Sequence, residues 1–333
     1  GLAATATVDG QAPVTRGEGG RTAARATTGT SAGARTPWGH PDLQGRWTNA
    51  TLTPLERPAD LAGKEFFTEA EAAEYAKTAF ERYLAQNGLA PEESLSGEYS
   101  ADRWGDPRSI VPTRRTSLII GPTGRLPALT AAAQQRVAAR AAERRAPDHA
   151  DAPEERPLME RCLWSSTSGP PMLPSITYNS NYEIVQTPTH VLIHIEMGNG
   201  LRIIPLDGRP HLPASIRLWY GDSRGHWDGD TLVIDSINFD DGTWLGRGGF
   251  FHSENMKVYE RFTRKGDEML YEVTVEDPDV LIQPWKQNPL MMTLAEAPAP
   301  GAAAAGGDPT LIGAERGNCE VYELEDIDNQ IHH

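Results

Sequence analysis

The chain has 333 residues, and its 32 glycines, 26 prolines and 38% hydrophobic residues form a loop-rich composition that argues against a compact helical bundle. The 46 acidic residues outnumber the 31 lysines and arginines, and the resulting net charge of −15 repels a phosphate backbone, so a nucleic-acid partner is disfavoured. No apolar run approaches the ~18–20 residues that cross a bilayer, which predicts a soluble protein without a membrane span.

Residues 1–40 form a low-complexity N-terminal arm with almost no large apolar side chain before Trp38. Such a segment cannot offset its ordering entropy by its own burial, so order in it requires another surface. One hypothesis is a homo-oligomer, in which an extended stretch such as residues 4–8 adds as a strand to the sheet edge of a second subunit. The alternative is that the arm wraps its own domain.

Residues 41–157 are predicted to be an extended and helical segment that packs on the core. The sequence Gly-Arg-Trp at 45–47 indicates a short strand. Pro54 and Pro58 then impose an extended path, because proline fixes its own φ and restricts the preceding residue. Residues 146–157, rich in proline, alanine and charge, have the composition of a linker.

Two helices are predicted within this segment. Thr68 and Glu71 have the spacing of a capping box, and the Asn-Gly pair at 87–88 is a stop signal, so the first helix lies between them. The second helix is alanine-rich and runs from Thr130 to about Arg145, before a proline.

Residues 158–333 predict an antiparallel β core domain, because β-branched and aromatic runs alternate with short turn-formers such as residues 228–230 and 265–267. The runs are YEIVQ (182–186), HVLIHIEM (190–197), LRIIPL (201–206), IRLWYG (216–221), TLVIDSINF (231–239), MKVYERFTR (256–264) and EMLYEVTVED (268–277). A strand near residue 47 or CEVYEL at 319–324 would bring the count to eight or nine. The predicted fold class is therefore mainly β: a lipocalin-like up-and-down antiparallel barrel or curled sheet, with two peripheral helices and long loops.

Cys162 and Cys319 are the two cysteines of the chain and lie near the two edges of the predicted core domain. The even count, the polar Ala/Thr-rich start and a first residue that is not Met favour an exported, mature protein, periplasmic or extracellular, with a disulfide between the two cysteines. Two free thiols in a cytosolic enzyme are the alternative.

Seven segments of the chain are distinctive in their sequence and in their order. They are PDLQGRWTN (41–49), VPTRRTSLI (111–119), IVQTP (184–188), RIIPLDGRPH (202–211), GHWDGDTLVIDSINF (225–239), YERF (259–262) and VEDPD (275–279). With these blocks, roughly residues 41–290 resemble a group of exported bacterial proteins that share RIIPLDGRPH-like and GRWEGDTLVV-like strings. The resemblance implies export and a lipocalin-like β fold, and it implies no activity and no catalytic residue.

The hairpin HVLIHIEM-GNG-LRIIPL carries the candidate catalytic residues His194, Glu196 and Arg202. If Met197 pairs with Leu201, the alternation of a strand places these three side chains on one face and the apolar side chains on the other. A carboxylate fixes the tautomer of a neighbouring imidazole, so this group could perform acid/base chemistry or hold an anion if it lines a cavity. The alternative is an ordinary cross-strand salt bridge beside a hydrogen-bonded histidine.

Aromatic and ionisable side chains near the loops give candidate ligand-binding residues. They are Trp164, Tyr178, Trp219, Trp244, His252 and Glu254. Glycine-rich loops at a barrel mouth let a backbone approach a ligand, and aromatic rings stack on sugars or planar apolar molecules. No spacing matches a zinc or EF-hand pattern, so no metal is predicted. The tryptophans could equally fill the core.

The sequence contains no GxSxG, Walker, GxGxxG or CxxC motif, so no cofactor is predicted. The main functional hypothesis is an exported barrel that binds a small, partly apolar molecule, with metal-free acid/base chemistry as its enzymatic version. One alternative is a self-assembling extracellular subunit with an exchanged N-terminal arm. Another is a carbohydrate-active protein that uses Asp240, Glu254 or Glu272 as paired carboxylates.

Overall fold

The computed structural model describes residues 35–86, 110–143, 169–174, 180–195, 200–243 and 251–294, which contain nine strands and two α-helices. The strands are β1 Gly45–Thr48, β2 Asn181–Gln186, β3 His190–Ile195, β4 Leu201–Pro205, β5 Asp222–Asp228, β6 Thr231–Ile237, β7 Lys257–Lys265, β8 Glu268–Glu276 and β9 Trp285–Leu294. The helices are α1 Glu69–Gln86 and α2 Ala131–Glu143. The predicted mainly β fold, a barrel with two helices, is confirmed. In the described ranges no helix is long and apolar enough to cross a membrane.

The nine strands form one sheet in the order β4-β3-β2-β1-β9-β8-β7-β6-β5, and every ladder in it is antiparallel. With an odd number of alternating strands, the two terminal strands β4 and β5 run in the same direction when the sheet curls round. A parallel neighbour needs a long crossover connection. Residues 206–221, which join β4 to β5, supply it and are called the crossover below.

The line where β4 meets β5 is the seam of the barrel, and side chains rather than a backbone ladder hold its described residues together. A Cβ added to Gly225 would lie 2.9 Å from Ile204 Cγ2 and 2.8 Å from Leu206 Cδ2. Glycine is therefore needed in β5 because the side chains of β4 and of the crossover pack directly on its backbone. Arg202 of β4 also reaches Ser223 of β5, at 3.5 Å from Nη2 to Oγ.

The interior of the barrel is a packed core, as the alternation along each strand requires. Every second residue of β8, from Met269 to Val275, is buried, and the rings of Trp47, Tyr182 and Phe262 are among the largest fully buried side chains. Residues 169–173, called the plug below, are buried as well. The plug enters the barrel, since the Met172 N–H donates to the buried Tyr271 hydroxyl at 2.9 Å.

The two ends of the barrel differ. At the turn end, Gly229 and Gly266 take φ of 60° and 66° in the two-residue turns predicted from the sequence. Residues 35–44 cover this end: the Leu43 N–H donates to Gln186 Oε1 at 2.9 Å, and Gln186 Nε2 donates to the Pro41 carbonyl at 3.1 Å. The opposite end carries the longer connections and is called the loop end below.

Both helices begin at the caps that the sequence predicts. The Thr68 N–H donates to Glu71 Oε2 at 2.8 Å, and the Glu71 N–H donates to Thr68 Oγ1 at 3.3 Å, which completes the capping box of α1. Thr130 caps α2 and also donates to the Asp279 carbonyl at 2.7 Å. Helix α2 therefore packs on the loop end of the barrel, where Ala133 is buried.

Three strand assignments from the sequence differ from the structure. The run IRLWYG is part of the crossover, and β5 and β9 were not predicted. Strand β5 contains charged residues and a glycine, because its outer face meets polar groups of the crossover and its inner face needs Gly225. Strand β9 contains Pro289 and one extra residue between Gln287 and Leu290, which lie opposite Val273 and Tyr271, and this bulge interrupts the period-two pattern on which prediction depends.

Candidate functional site

A groove of about 320 Å³ lies on the loop end of the barrel and is called the rim groove below. It is lined by Ala214, Arg217, Ile237, Asn238, Glu254, Asn255, Met256, Lys257 and Pro278. These residues come from four places that the topology brings together: the crossover, the end of β6, the start of β7 with its preceding loop, and the loop after β8. Apolar surface with a few polar groups is the usual composition of a small-molecule site.

The crossover wall of the rim groove is fixed by Asn238, which follows β6 with φ of 60°. Asparagine tolerates this left-handed conformation better than most residues. Its Nδ2 donates to the Leu212 carbonyl at 2.9 Å, and its carbonyl accepts from the Leu218 N–H at 3.0 Å. One hydrogen bond before Ala214 and one after Arg217 therefore hold this part of the crossover against the sheet.

The opposite wall is fixed by a buried carboxylate. Asp277 accepts from the Ser253 N–H and the Ser253 hydroxyl, both at 2.7 Å. Ser253 Oγ in turn accepts from the Asn255 N–H at 3.1 Å, and Asn255 Nδ2 donates to Asp279 Oδ2 at 2.6 Å. This network sets the position of Glu254, whose carboxylate lies 3.3 Å from the Arg217 guanidinium across the groove.

The charges of the rim groove are not all neutralised. Arg217 is engaged by Glu254 Oε2, the Glu254 carbonyl and Asn238 Oδ1. Lys257 lies opposite Glu276 in the β7–β8 ladder and makes no ion pair among the described residues. Lys257 is exposed and lines the groove together with the partly buried Ile237, so the groove offers one cation next to an apolar residue.

Behind this wall lies His252, one of the predicted ligand-binding residues. Burial lowers the pKa of His252, so its imidazole is neutral at pH 7. Nδ1 donates to the Ser253 carbonyl at 3.0 Å, which leaves Nε2 to accept from the Thr243 hydroxyl. A hydroxyl on a neutral imidazole is the arrangement of a nucleophile and its base. Here both side chains are buried, and their contact joins two parts of the single connection between β6 and β7.

The barrel interior holds a second polar group, centred on Glu260. The Arg202 guanidinium pairs with both Glu260 oxygens, and the Tyr271 hydroxyl donates to Glu260 Oε1 at 2.9 Å. All three side chains are buried. Burial and the neighbouring carboxylate raise the pKa of Tyr271 well above its usual value, so the phenol stays protonated and donates. Because the plug bonds to the same hydroxyl, this chain of contacts joins β4, β7, β8 and the plug.

The predicted shared face of His194, Glu196 and Arg202 is wrong for the two residues that the structure describes. His194 pairs with Leu201, and Ile193 pairs with Arg202, whereas the prediction required Met197 opposite Leu201. This is a shift of three residues, and an odd shift moves every side chain of one strand to the other face. Arg202 therefore lies inside the barrel, and His194 lies on the outer face, 3.6 Å from Glu183.

The other predicted site residues divide into two groups. Glu254 lines the rim groove, and Trp219 lies in the crossover and is partly buried. Outside the described residues lie Glu196, Trp164, Tyr178 and Trp244, and also Cys162 and Cys319 of the predicted disulfide. Glu272, proposed as a paired carboxylate, lies on the outer face of β8 opposite Arg261, away from the loop end.

A cluster that the sequence analysis missed lies on the outer face of β5 and β6. His211 of the crossover places Nδ1 2.8 Å from Asp222 Oδ2, and its Nε2 contacts Asp235 Oδ2. Asp222 also accepts from the Leu212 N–H at 2.8 Å and from Arg224. No local pattern predicts this cluster, because His211 reaches Asp222 and Asp235 only through the crossover, in which the sequence predicts a strand at IRLWYG.

Searches with this chain find no matching protein-family model and no matching curated protein.

Proposed function

We propose that the protein binds a small, partly apolar molecule with an anionic group in the rim groove. The observation that carries the proposal is the exposed Lys257, which makes no ion pair among the described residues and lines the groove together with the partly buried Ile237. A volume of about 320 Å³ is at the small end of the range of ligand sites. The ligand is accordingly small, with an apolar body and one acidic group.

The rigid surroundings support the same conclusion. One wall is held by Asn238 and the other by Asp277, so the groove is formed before a ligand arrives. A preformed site loses little conformational entropy on binding, which favours affinity for a small molecule. The opposite end of the barrel is covered by residues 35–44, which favours the loop end as the functional end.

Fluorescence of 8-anilinonaphthalene-1-sulfonate, an aromatic sulfonate, tests the proposal. We expect the dye to bind and its fluorescence to increase. In NMR spectra, we expect binding to shift the amide signals of Met256 and Lys257. The variant Lys257→Glu places a repelling carboxylate beside the sulfonate and should weaken binding about tenfold, equivalent to ~1.4 kcal/mol.

Lys265→Glu is the matched control, since Lys265 is the exposed lysine at the other end of β7. Lys265→Glu makes the same change in net charge away from the groove, so this variant should bind the dye with the affinity of the wild type. Equal affinity for Lys257→Glu, or signals perturbed elsewhere only, would refute the rim groove as the binding site.

A further inference from the structure

His211 makes two contacts that a neutral imidazole cannot satisfy together. Both acceptors are carboxylate oxygens, Asp222 Oδ2 on Nδ1 and Asp235 Oδ2 on Nε2. A neutral ring has one N–H and one lone pair, whereas an imidazolium has two N–H donors. With both carboxylates ionised, the arrangement therefore fits an imidazolium, whose two ring N–H groups can each donate to one carboxylate.

The groups around His211 define the charge balance of the cluster. From β5, Asp222 and Arg224 face the ring, and from β6, Asp235 does. Tyr259 of β7 is the cross-strand neighbour of Asp235. Two carboxylates thus meet one guanidinium, and the extra proton on the ring completes a balance of two negative and two positive charges.

Three more charged groups lie in the crossover itself: Asp207, Arg209 and Arg217, of which Arg217 pairs with Glu254 at the rim groove. Arg209 pairs with Asp207, through Nε at 2.8 and 2.9 Å from the two carboxylate oxygens. This neighbour pair is neutral as a unit, so it leaves the balance at His211 unchanged.

The contacts of this cluster fasten the crossover to the barrel. Asp222 binds the ring and the Leu212 N–H, and Arg224 donates to the Pro210 carbonyl at 3.1 Å from Nε and 3.0 Å from Nη2. The fastened stretch leads directly into Ala214 and Arg217, which form one wall of the rim groove. His211 and Ala214 of this wall are thus only three residues apart in the chain.

We propose that His211 is a proton-dependent latch that holds the crossover, and with it one wall of the rim groove, on the barrel. As the pH rises and the extra proton leaves, the Nε2 lone pair faces the Asp235 carboxylate, and the contact becomes repulsive. The crossover then loosens. As regulation of the rim groove, this inference rests on the proposed binding function, whereas the latch itself depends on the His211 geometry alone.

Hydrogen exchange of crossover amides between pH 6 and pH 9, expressed as protection factors corrected for intrinsic rates, tests the latch. We expect the protection of residues 211–218 in the wild type to fall at least fivefold over this range. In Asp235→Asn the carboxamide can donate to a neutral Nε2 or accept from a protonated one, so its protection should stay constant. Asp267→Asn, an exposed change at the turn end, should follow the wild type.

A constant wild-type profile would overturn the latch, and so would an Asp235→Asn profile that falls as steeply as that of the wild type. If Asp235→Asn fails to fold, the wild-type profile and the ¹⁵N shifts of the His211 ring decide, since the latch requires two protonated ring nitrogens at pH 6.

The naphthalene sulfonate dye is titrated at the same pH values. No dye binding together with a falling protection profile refutes the proposed function and supports the latch. Dye affinity that stays constant while protection falls refutes control of the groove.

Discussion

Individual residues of the barrel interior show how a polar group can be placed in an apolar core. Glu260 is buried without access to water, and its charge is compensated by Arg202 and by the Tyr271 hydroxyl. Desolvation makes such a pair a poor source of net stability, but the loss of one partner leaves the other charge buried and uncompensated. We therefore expect the pair to determine which strands and which part of the plug meet more than it adds to net stability.

Glu260→Ala should destabilise the protein by about 3–5 kcal/mol, because the Arg202 guanidinium would remain buried without a counter-charge. Chemical denaturation measures the change. The double variant Arg202→Met/Glu260→Leu removes both charges and should recover most of the loss. A double variant as unstable as the single one would show that packing, not the uncompensated charge, is responsible.

At the scale of secondary structure elements, the seam depends on one position of β5. Gly225 is in contact distance of Ile204 and Leu206 across the seam, and no side chain fits between them. The neighbouring His226 points outward and is exposed. The same substitution at these two adjacent positions therefore separates a local strand effect from an effect on the seam.

Gly225→Val should cost about 1–3 kcal/mol, since its methyl groups would force β4 away from β5. His226→Val is the control and should change the free energy of unfolding by less than about 0.5 kcal/mol. Unfolding in urea, followed by tryptophan fluorescence, gives both values. Similar values for the two variants would contradict close packing at the seam.

Several elements could be predicted from the sequence because local chemistry determines them. The capping box at Thr68, the two glycine turns and strands β6, β7 and β8 have signals within a few residues. The register of β3 with β4 was predicted wrongly. The sequence of two strands joined by a few residues is compatible with several ways of pairing them. The His211 cluster and the rim groove depend on contacts between distant segments, and no local pattern encodes them.

At the scale of the whole molecule, the segment before β1 completes the barrel. Leu43 is fully buried, and Arg264 lies over the Trp47 ring with its guanidinium carbon 5.2 Å from the ring centroid. Residues 1–34 and the two cysteines lie outside the described residues, so arm exchange between subunits and the disulfide between Cys162 and Cys319 stay predictions. Residues 35–44, by contrast, pack on the barrel of their own chain.

Two truncations test the role of this segment. Removal of residues 1–44 exposes the core that Leu43 covers and should cost about 2–3 kcal/mol, enough to lower the melting temperature by several degrees. Removal of residues 1–34 leaves these contacts in place and should have a much smaller effect. Calorimetry compares the two proteins, and equal melting temperatures would contradict the covering role of residues 35–44.

The odd number of strands has a mechanical consequence. A cylinder whose wall is continuous resists widening equally at every point, but this wall has one line, between β4 and β5, that no backbone ladder of the described strands crosses. Local opening needs the least free energy where no backbone hydrogen bonds have to break. We therefore expect solvent to reach the core first through the side of the barrel, beneath the crossover, and only later from its two ends.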